Sequence, residues 1–461
     1  MAAPEVNAGA AAEENAWPAP TSGPVNATVS IPGSKSLTNR YLVLGALGED
    51  TAVVGHPLVA RDTSLMADAL VALGAKVEKT DDAWTITPGP FRSGAVETGL
   101  AGTVMRFIPP VAALADGPVV IDGDAAARVR PMDAIVDGLR ALGVRVDAAE
   151  LNGRPVLPLT VHGTGELAGG TLEIDASASS QFISALLLAA PRMTNGLDLR
   201  HVGAAVPSSP HIAMTCEVLR DAGIDVTELS ADDAPASESA PAVRWLVRPG
   251  IPAMGTVEVE PDLSNAAPFL AAAMVTGGTV RVERWPRQTT QPGDELQTIF
   301  TQMGGRVERD GEDLVVFGPE TVLPLDMDMH DVGELTPTIA AVAAFANGES
   351  HLRNIGQLRG HETDRLAALV AEFERLGARA WEDGDDLVIR PASLDGREMA
   401  GATLESYADH RLATFGAVIG LRVPGVRVVN IETTAKTLPG FVGMWDELLG
   451  LSAGATGEAR S

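Results

Sequence analysis

Five stretches of the chain share one pattern of apolar and polar positions. Each has apolar residues at helical spacing, then a glycine, then a short segment that contains valine. The first covers residues 62–78, with Leu65 and Leu70 on one face. A glycine is expected there because the residue after a helix often adopts the left-handed conformation. The five glycines are Gly74, Gly143, Gly223, Gly304 and Gly377. The pattern predicts five amphipathic helices that each lead into a strand.

A second pattern alternates with the first. It opens with polar residues, continues as an alanine-rich apolar segment and ends in a short turn and strand. It occurs at residues 34–54, 102–121, 179–199, 264–282, 334–352 and 407–429. Because these segments are apolar nearly all round, we expect six buried helices. The two patterns together predict six copies of an α/β unit of roughly 70–80 residues, which is too long for a solenoid repeat.

Six units in 461 residues favour two domains of three units each. The acidic stretch 231–242 indicates a surface loop, and the domain boundary is expected shortly after it. We expect an N-terminal domain over residues 34–260 and a C-terminal domain formed by residues 25–33 and 261–450. Residues 1–24 are predicted to be a disordered tail because they are rich in alanine, glutamate and proline, and residues 451–461 form a second tail.

Cations stand at the starts of several predicted buried helices. Helix N-termini carry unpaired N–H groups and a partial positive charge, so a cation there is unfavourable unless an anion binds beside it. Serine or aspartate at these positions is explained by capping alone, but the cations are not. If the buried helices of a domain are parallel, their N-termini converge on one face, and two such faces would form a cationic cleft. These cations are Lys35, Arg40, Arg106 and Arg411.

The net charge of −27 makes such a cluster informative, because the protein as a whole repels polyanions. The same charge argues against nucleic acid and against an anionic membrane as partners. A single cysteine, Cys216, excludes an internal disulfide, and a small buried residue is its favoured interpretation. No apolar run is long enough to span a membrane, and Glu5 and Glu13 stand where a secretory signal needs basic residues. We therefore expect a cytoplasmic protein.

Lysine is rare in this chain, which holds four lysines among 34 basic residues. Lys76 and Lys79 lie near a predicted exposed strand, and chance explains them. Lys35 and Lys436 lie in loops with serine and threonine, where a mobile ammonium group that can lose its proton favours a function.

Six motifs in order along residues 25–450 resemble the 5-enolpyruvylshikimate-3-phosphate synthase (EPSP synthase) family. They are PGSKSLTNR at 32–40, GLAGTVMRF at 99–107, SSQF at 179–182, HETDRL at 361–366, DHR at 409–411 and AKTLPGF at 435–441. The resemblance implies the enolpyruvyl transferase fold, an α/β architecture of two similar domains. Each domain would have three βαβαββ units with buried parallel helices, which agrees with the repeat count.

The resemblance also implies a reaction of the shikimate pathway, which leads to chorismate and the aromatic amino acids. The 5-hydroxyl of shikimate 3-phosphate attacks C2 of phosphoenolpyruvate while C3 gains a proton, and the intermediate then loses phosphate. The family uses no metal and no organic cofactor, is the target of glyphosate, and would act here as a cytoplasmic monomer. Both substrates carry a phosphate and a carboxylate, so several fixed cations suit this chemistry.

By resemblance, three residue sets form the site. The phosphoenolpyruvate set is Lys35, Gly102, Arg130, Gln181, Arg365, Arg411 and Lys436. The shikimate 3-phosphate set is Ser36, Arg40, Ser179, Ser180, Gln181, Ser208, Glu334 and His361. Proton transfer would fall to Glu334 and Glu362, with Lys35 assisting.

The chain departs from the best-known members of the family at six positions. They are Leu100 for Asn, Phe107 for Pro, His211 for Tyr, Glu334 for Asp, Gln357 for Asn and His361 for Lys. Glu334 keeps its carboxylate, and His361 replaces a permanent charge with a titratable one. Because several changes keep the chemical role, we interpret the chain as a divergent active branch.

Two other functions compete with this one. An enolpyruvyl transferase acting on UDP-N-acetylglucosamine shares the fold, but it usually carries a cysteine on a mobile loop, whereas Cys216 lies in a helical pattern. A non-catalytic binder of phosphorylated metabolites would use the same cations. Glu334 and Glu362 argue against a binder, because carboxylates weaken an anion site unless they take part in chemistry.

Overall fold

The computed structural model describes residues 15–237 and 241–451, and the chain divides into two compact units. The first unit is Gly33–Glu260. The second unit comprises the described residues up to Pro32 and from Pro261 onward. Among the described residues, no helix is both long enough and apolar enough to cross a membrane.

Two strands near the N-terminus, β1 (Trp17–Pro18) and β2 (Asn26–Val29), belong to the second unit. The first unit contains six described helices: α1 (Lys35–Leu47), α2 (Arg61–Leu73), α3 (Gly102–Ala112), α4 (Asp133–Ala141), α5 (Ser180–Ala189) and α6 (Pro210–Asp221). Its strands are β3 (Ala52–Gly55), β4 (Lys76–Lys79), β5 (Ala83–Thr87), β6 (Arg92–Glu97), β7 (Asp116–Asp122), β8 (Arg145–Leu151), β9 (Arg154–Thr164), β10 (Gly170–Ile174), β11 (Leu197–His201), β12 (Val226–Leu229), β13 (Arg244–Val247) and β14 (Thr256–Glu258).

The strands of the first unit form three four-stranded sheets with the same connectivity. Their orders are β14-β3-β5-β4, β6-β7-β9-β8 and β10-β11-β13-β12. In each sheet the first two strands are parallel and the others pair antiparallel. This is the predicted βαβαββ unit, because a parallel pair needs a crossover helix and an antiparallel pair needs only a short turn. β14 completes the first sheet although it comes last along the unit.

The second unit repeats this plan. Its helices within the described residues are α7 (Leu263–Thr276), α8 (Leu296–Gln302), α9 (Thr336–Ala343), α10 (Arg365–Arg375), α11 (His410–Gly420) and α12 (Phe441–Leu448). Its other strands are β15 (Thr279–Val282), β16 (Arg306–Asp310), β17 (Asp313–Phe317), β18 (Asp326–Asp328), β19 (Ser350–Arg353), β20 (Arg379–Asp383), β21 (Asp386–Arg390), β22 (Thr403–Leu404) and β23 (Arg427–Val428). The sheet orders are β16-β17-β15-β2, β18-β19-β21-β20 and β1-β23-β22.

The last sheet has three strands instead of four, and the N-terminal strand β1 pairs antiparallel with β23. Ala16 and Ala19 are buried beside it, and the Ala19 N–H donates to the Val426 carbonyl oxygen at 3.0 Å. The tail predicted over residues 1–24 was therefore wrong from Asn15 onward, because composition does not reveal a strand supplied to a distant sheet. Residues 1–14 of that tail, and residues 452–461 of the C-terminal one, lie outside the described residues.

The two helix patterns predicted from sequence are confirmed. The alanine-rich helices α1, α3, α5, α7, α9 and α11 are almost wholly buried, and each unit has its own apolar core around three of them. Each glycine after an amphipathic helix has a positive φ, which fits a left-handed helix end. Because alanine side chains are small, these buried helices pack closely. The α/β class and the repeated units were thus predicted correctly, with the sixth sheet as the exception.

Candidate active site

The buried helices of the first unit begin close together. Asn39 in α1 donates from Nδ2 to Thr103 Oγ1 at the start of α3, at 2.7 Å. Arg106 in α3 lies with its Nη1 atom 3.4 Å from Oε1 of Gln181, which opens α5. These bonds join the first two turns of three helices, so the N-termini lie close together within this unit, as predicted.

Gly102 lies where these polar side chains gather. A Cβ atom placed there would stand 3.0 Å from Arg106 Nη1, 3.1 Å from Gln181 Oε1 and 3.4 Å from Arg130 Nη2. Two guanidinium groups and an amide thus surround one backbone position that carries no side chain. Such an arrangement lets a small anion approach the helix N-terminus closely.

Arg130 reaches this cluster from the segment before α4. Its Nη1 atom donates to the Leu100 carbonyl oxygen at 3.4 Å, a long hydrogen bond. Its Nε atom is buried, with no hydrogen-bond partner among the described residues. Buried donors are normally satisfied, so this N–H is available to a ligand.

Arg40 is placed differently from the other predicted binding residues, because its side chain is only 1% exposed. It donates to Thr215 Oγ1 at 2.8 Å, to Ser184 Oγ at 3.3 Å, and to the carbonyl oxygens of Ser36 and His211 at 3.0 and 2.8 Å. Burial lowers the pKa of Arg40 to about 9. The structure therefore uses four of its donors to join α1, α5 and α6, and its contact with substrate stays a prediction.

Lys35 is the first residue of α1, where the helix dipole disfavours a cation. Its Nζ atom lies 3.5 Å from Oδ2 of Asp62 in the first turn of α2. Asp62 is 1% exposed, and sequence reasoning did not single it out. An aspartate in the first turn of a helix is common because it interacts favourably with the helix dipole. The position of Asp62 in the sequence therefore did not indicate a lysine partner.

Three predicted serines lie at turns of the first unit. Ser179 is the N-cap of α5 and accepts a hydrogen bond from the Gln181 N–H at 3.3 Å, and Ser180 is buried. Ser208 has a φ of 55°, in the left-handed region that non-glycine residues rarely adopt. Such strain is concentrated at functional sites in proteins.

The second unit also brings helix N-termini together. Ser264 in the first turn of α7 donates from Oγ to Glu334 Oε1 at 3.3 Å, and Glu334 lies just before α9. Arg411, the second residue of α11, donates from Nη1 to the Ser264 carbonyl oxygen at 2.6 Å. Asn265 donates from Nδ2 to the carbonyl oxygen of Thr437 at 2.9 Å, which connects α7 to the loop of Lys436.

A charge network lies at the start of α10. Lys436 Nζ is 2.6 Å from Glu362 Oε1, and Arg365 Nη2 is 3.3 Å from Glu362 Oε2. Arg365 also binds Asp409 through two bonds of 2.7 and 3.2 Å. The side chains of Glu362 and Lys436 are 11% and 10% exposed, so the ion pair is mostly shielded from water but remains partly accessible to solvent.

The two buried arginines of this unit have opposite pKa shifts. Burial acts to lower the pKa of Arg365, but the charges of Asp409 and Glu362 outweigh it and raise that pKa above its ordinary value. For Arg411, burial dominates and lowers the pKa. The protein's own carboxylates thus stabilise the charged form of Arg365. An external anion would stabilise the charged form of Arg411 more than that of Arg365.

The positions that depart from the family pattern lie in or beside both clusters. His361 Nδ1 is 3.3 Å from Arg365 Nη1, and Gln357 donates to the His330 carbonyl oxygen at 3.2 Å. Phe107 is fully buried, with the Arg40 guanidinium 5.3 Å from its ring centroid.

Comparison with known proteins agrees with this geometry. The family model described as EPSP synthase (3-phosphoshikimate 1-carboxyvinyltransferase) matches residues 20–445. A 3-phosphoshikimate 1-carboxyvinyltransferase of Kocuria rhizophila is 50% identical over 458 residues, which cover 95% of this chain and 98% of the relative.

Solved structures agree in fold. An EPSP synthase from Acinetobacter baumannii superposes with a TM-score of 0.74 at 24% identity, over 94% of this chain and 97% of that one. The enolpyruvyl transferase NikO from Streptomyces tendae superposes with a TM-score of 0.70 at 16% identity, over 94% and 98%. Both show that the enolpyruvyl transferase fold is shared. With the family model and the Kocuria relative, they establish that the chain belongs to the EPSP synthase family, whose members are 3-phosphoshikimate 1-carboxyvinyltransferases.

Proposed function

We propose that side chains from both units carry out the reaction of the family in this chain. That reaction transfers the enolpyruvyl group of phosphoenolpyruvate to the 5-hydroxyl of shikimate 3-phosphate and releases phosphate. The observation that carries the assignment is the Lys436–Glu362–Arg365 network, with contacts of 2.6 and 3.3 Å. It places a carboxylate that can exchange a proton beside two cations that can hold a phosphate or carboxylate.

The cations of the second unit would hold phosphoenolpyruvate. Arg411 and Arg365 offer planar donors that suit its carboxylate and phosphate, and Lys436 adds a compact charge. In the first unit, Lys35, Arg130 and Gln181 would complete this set, with Gly102 leaving space for the anion. The buried Nε of Arg130, which has no partner among the described residues, supports this role.

Shikimate 3-phosphate would be held mainly by the serine-bearing turns of the first unit. Hydroxyl and backbone N–H groups at a helix N-terminus bind a phosphate well. Arg40 would act through the Ser36 carbonyl that it fixes, and Glu334 and His361 would contribute from the second unit. The serines are Ser36, Ser179, Ser180 and Ser208.

Proton movement follows from the bonds that change. The attacking 5-hydroxyl must lose its proton as its oxygen bonds to C2, and C3 must gain one. The intermediate then loses phosphate while C3 returns a proton. Glu334, Glu362 and Lys35 are the titratable groups proposed for these steps. A substrate anion bound at Lys436 would compete with Glu362, whose Oε1 lies 2.6 Å from the lysine Nζ.

Release of inorganic phosphate tests the proposal. Release that requires both substrates is expected of the enzyme, whereas binding without release would support a non-catalytic binder. Supplying UDP-N-acetylglucosamine in place of shikimate 3-phosphate should give no release, and release with that acceptor would favour the alternative transferase. Lys35→Ala should lower turnover by about two orders of magnitude. A near-normal rate in that variant would remove Lys35 from the proton-transfer set.

We further propose a cytoplasmic monomer without nucleic-acid or membrane partners. The net charge of −27, which repels anionic surfaces, supports the absence of such partners. Light scattering of the purified protein should give the mass of one chain, 47.8 kDa. Twice that mass would contradict the monomer.

A further inference from the structure

The turn that leads into α11 contains two consecutive residues in an unfavourable backbone conformation. Tyr407 has a φ of 53° and Ala408 a φ of 54°, both in the left-handed region. The Cβ atom of a non-glycine residue crowds the following carbonyl oxygen there, and neither tyrosine nor alanine has the short polar side chain that eases this conformation for asparagine or aspartate. Asp409 follows immediately, so this conformation sets where α11 begins.

A buried carboxylate holds this turn from the neighbouring helix. Glu372 in α10 is 1% exposed and accepts a hydrogen bond from the Tyr407 hydroxyl at 2.7 Å. Its other oxygen accepts from the backbone N–H of Glu405 at 3.1 Å. One side chain therefore binds the chain on both sides of Ser406. Arg375 Nε lies 3.4 Å from the oxygen that accepts from Tyr407, so this carboxylate also has a charge partner on its own helix. The bonds to Tyr407 and Glu405 add to that ion pair and favour the strained turn over relaxed alternatives.

The same helix holds the turn at a second point. Arg365 stands seven residues before Glu372, about two helical turns, so the two side chains lie on one face of α10. Arg365 binds both oxygens of Asp409. Asp409 in turn caps α11 by accepting from the Arg411 N–H at 2.8 Å. The position of the Arg411 backbone thus depends on a turn that α10 fixes at its start and at its end.

We propose that Glu372 and Tyr407 are positioning residues, which hold the strained turn so that Asp409 caps α11 and Arg411 is placed to receive phosphoenolpyruvate. This inference depends on the proposed role of Arg411 in binding that substrate. Neither residue belongs to the six motifs that resemble the family. Burial and the bond to Glu372 raise the pKa of Tyr407 to about 12, so the phenol keeps the proton it donates throughout the working range of pH.

Tyr407→Phe removes only the hydroxyl and tests the tether. The KM for phosphoenolpyruvate is expected to rise about tenfold, the effect of one lost hydrogen bond, while the KM for shikimate 3-phosphate changes less than twofold. Tyr41→Phe is the matched control, since Tyr41 is the other tyrosine of the chain and lies in the first unit. That control should leave both KM values unchanged.

A second change separates positioning from general stabilisation. Glycine adopts the left-handed conformation without strain, so Ala408→Gly should make the turn less dependent on its tether. In the double variant Tyr407→Phe/Ala408→Gly, the KM for phosphoenolpyruvate should return most of the way to the value of the unmodified protein. If Tyr407→Phe alone does not fold, the double variant can be compared with the single variant Ala408→Gly. This comparison measures the loss of the Tyr407 hydroxyl at a relaxed turn. We then expect the KM for phosphoenolpyruvate to rise less than threefold.

Arg411→Gln distinguishes the two proposals. If it leaves the KM for phosphoenolpyruvate unchanged, the role of Arg411 fails, and the positioning inference fails with it. If it raises that KM while Tyr407→Phe leaves it within twofold, only the positioning inference is overturned. An equal rise in both KM values for Tyr407→Phe, or no recovery in the double variant, would also overturn it, because either result indicates a general structural effect.

Discussion

Two cations of the first unit and two of the second differ in the groups to which they are bonded. In the first unit, Arg40 and Arg130 donate to hydroxyl and carbonyl oxygens, which are neutral. In the second unit, Arg365 and Lys436 are bonded to carboxylates. A cation among neutral acceptors keeps most of its charge for a ligand, whereas a cation paired with a carboxylate is partly neutralised but has a proton-exchanging group beside it. The difference supports the proposal that Arg130 holds a substrate anion and that Glu362 exchanges a proton.

The largest expected difference between the two units is in the free energy of unfolding after one cation is removed from each. Arg365→Gln leaves the fully buried Asp409 without its charge partner, so we expect the free energy of unfolding to fall by about 3–5 kcal/mol. Arg130→Gln strands no carboxylate among the described residues and should cost less than about 1 kcal/mol. Urea unfolding of both variants measures the difference. Equal losses would mean that the two sites do not differ in charge pairing.

The carboxylate of the second unit can be tested next. Glu362→Gln keeps the shape of the side chain but removes its charge and its proton exchange, so turnover should fall by about two orders of magnitude. Glu374→Gln, an exposed change on the nearby helix α10, is the control and should keep the normal rate. A Glu362→Gln enzyme with near-normal turnover would assign proton transfer elsewhere.

Crowding the first unit should produce a smaller effect. Gly102→Ala puts a methyl group 3.0 Å from Arg106 Nη1 and 3.1 Å from Gln181 Oε1, so those side chains must shift. We expect the KM for phosphoenolpyruvate to rise about tenfold with little change in stability. Gly443→Ala is the matched control, because no atom lies within 4 Å of a Cβ placed there. An unchanged KM in Gly102→Ala would show that the anion does not approach this glycine.

The smallest effect is expected at the single cysteine. Cys216 is fully buried in α6, and burial raises the pKa of its thiol well above the ordinary value. A thiol reagent at pH 8 should therefore leave the native protein unmodified and label one thiol per chain after unfolding. Rapid labelling of the native protein would mean that the packing around Arg40 and α6 is looser than in the structure.

Most of the architecture could be predicted from the sequence, whereas the contacts among the site residues could not. The alternating helix patterns predicted six α/β units, and cations at helix starts indicated where we propose that anions bind. Strand β1 was missed because two residues carry no periodic signal and pair with a strand more than four hundred positions away. Arg40 was assigned to the substrate from its motif, but the hydroxyl and carbonyl groups that surround it become neighbours only after three helices pack.

The sequence by itself determined the local elements and the residue types at helix starts. Helical periodicity, a glycine after a helix and an alanine-rich face act over a few residues, so they can be identified along the chain. Tertiary structure alone decided which polar groups meet, as in Arg365 with Asp409, 44 residues apart, and Asn265 with the Thr437 carbonyl, 172 residues apart. Such pairs depend on how buried helices pack against one another, and no short-range pattern encodes that distance.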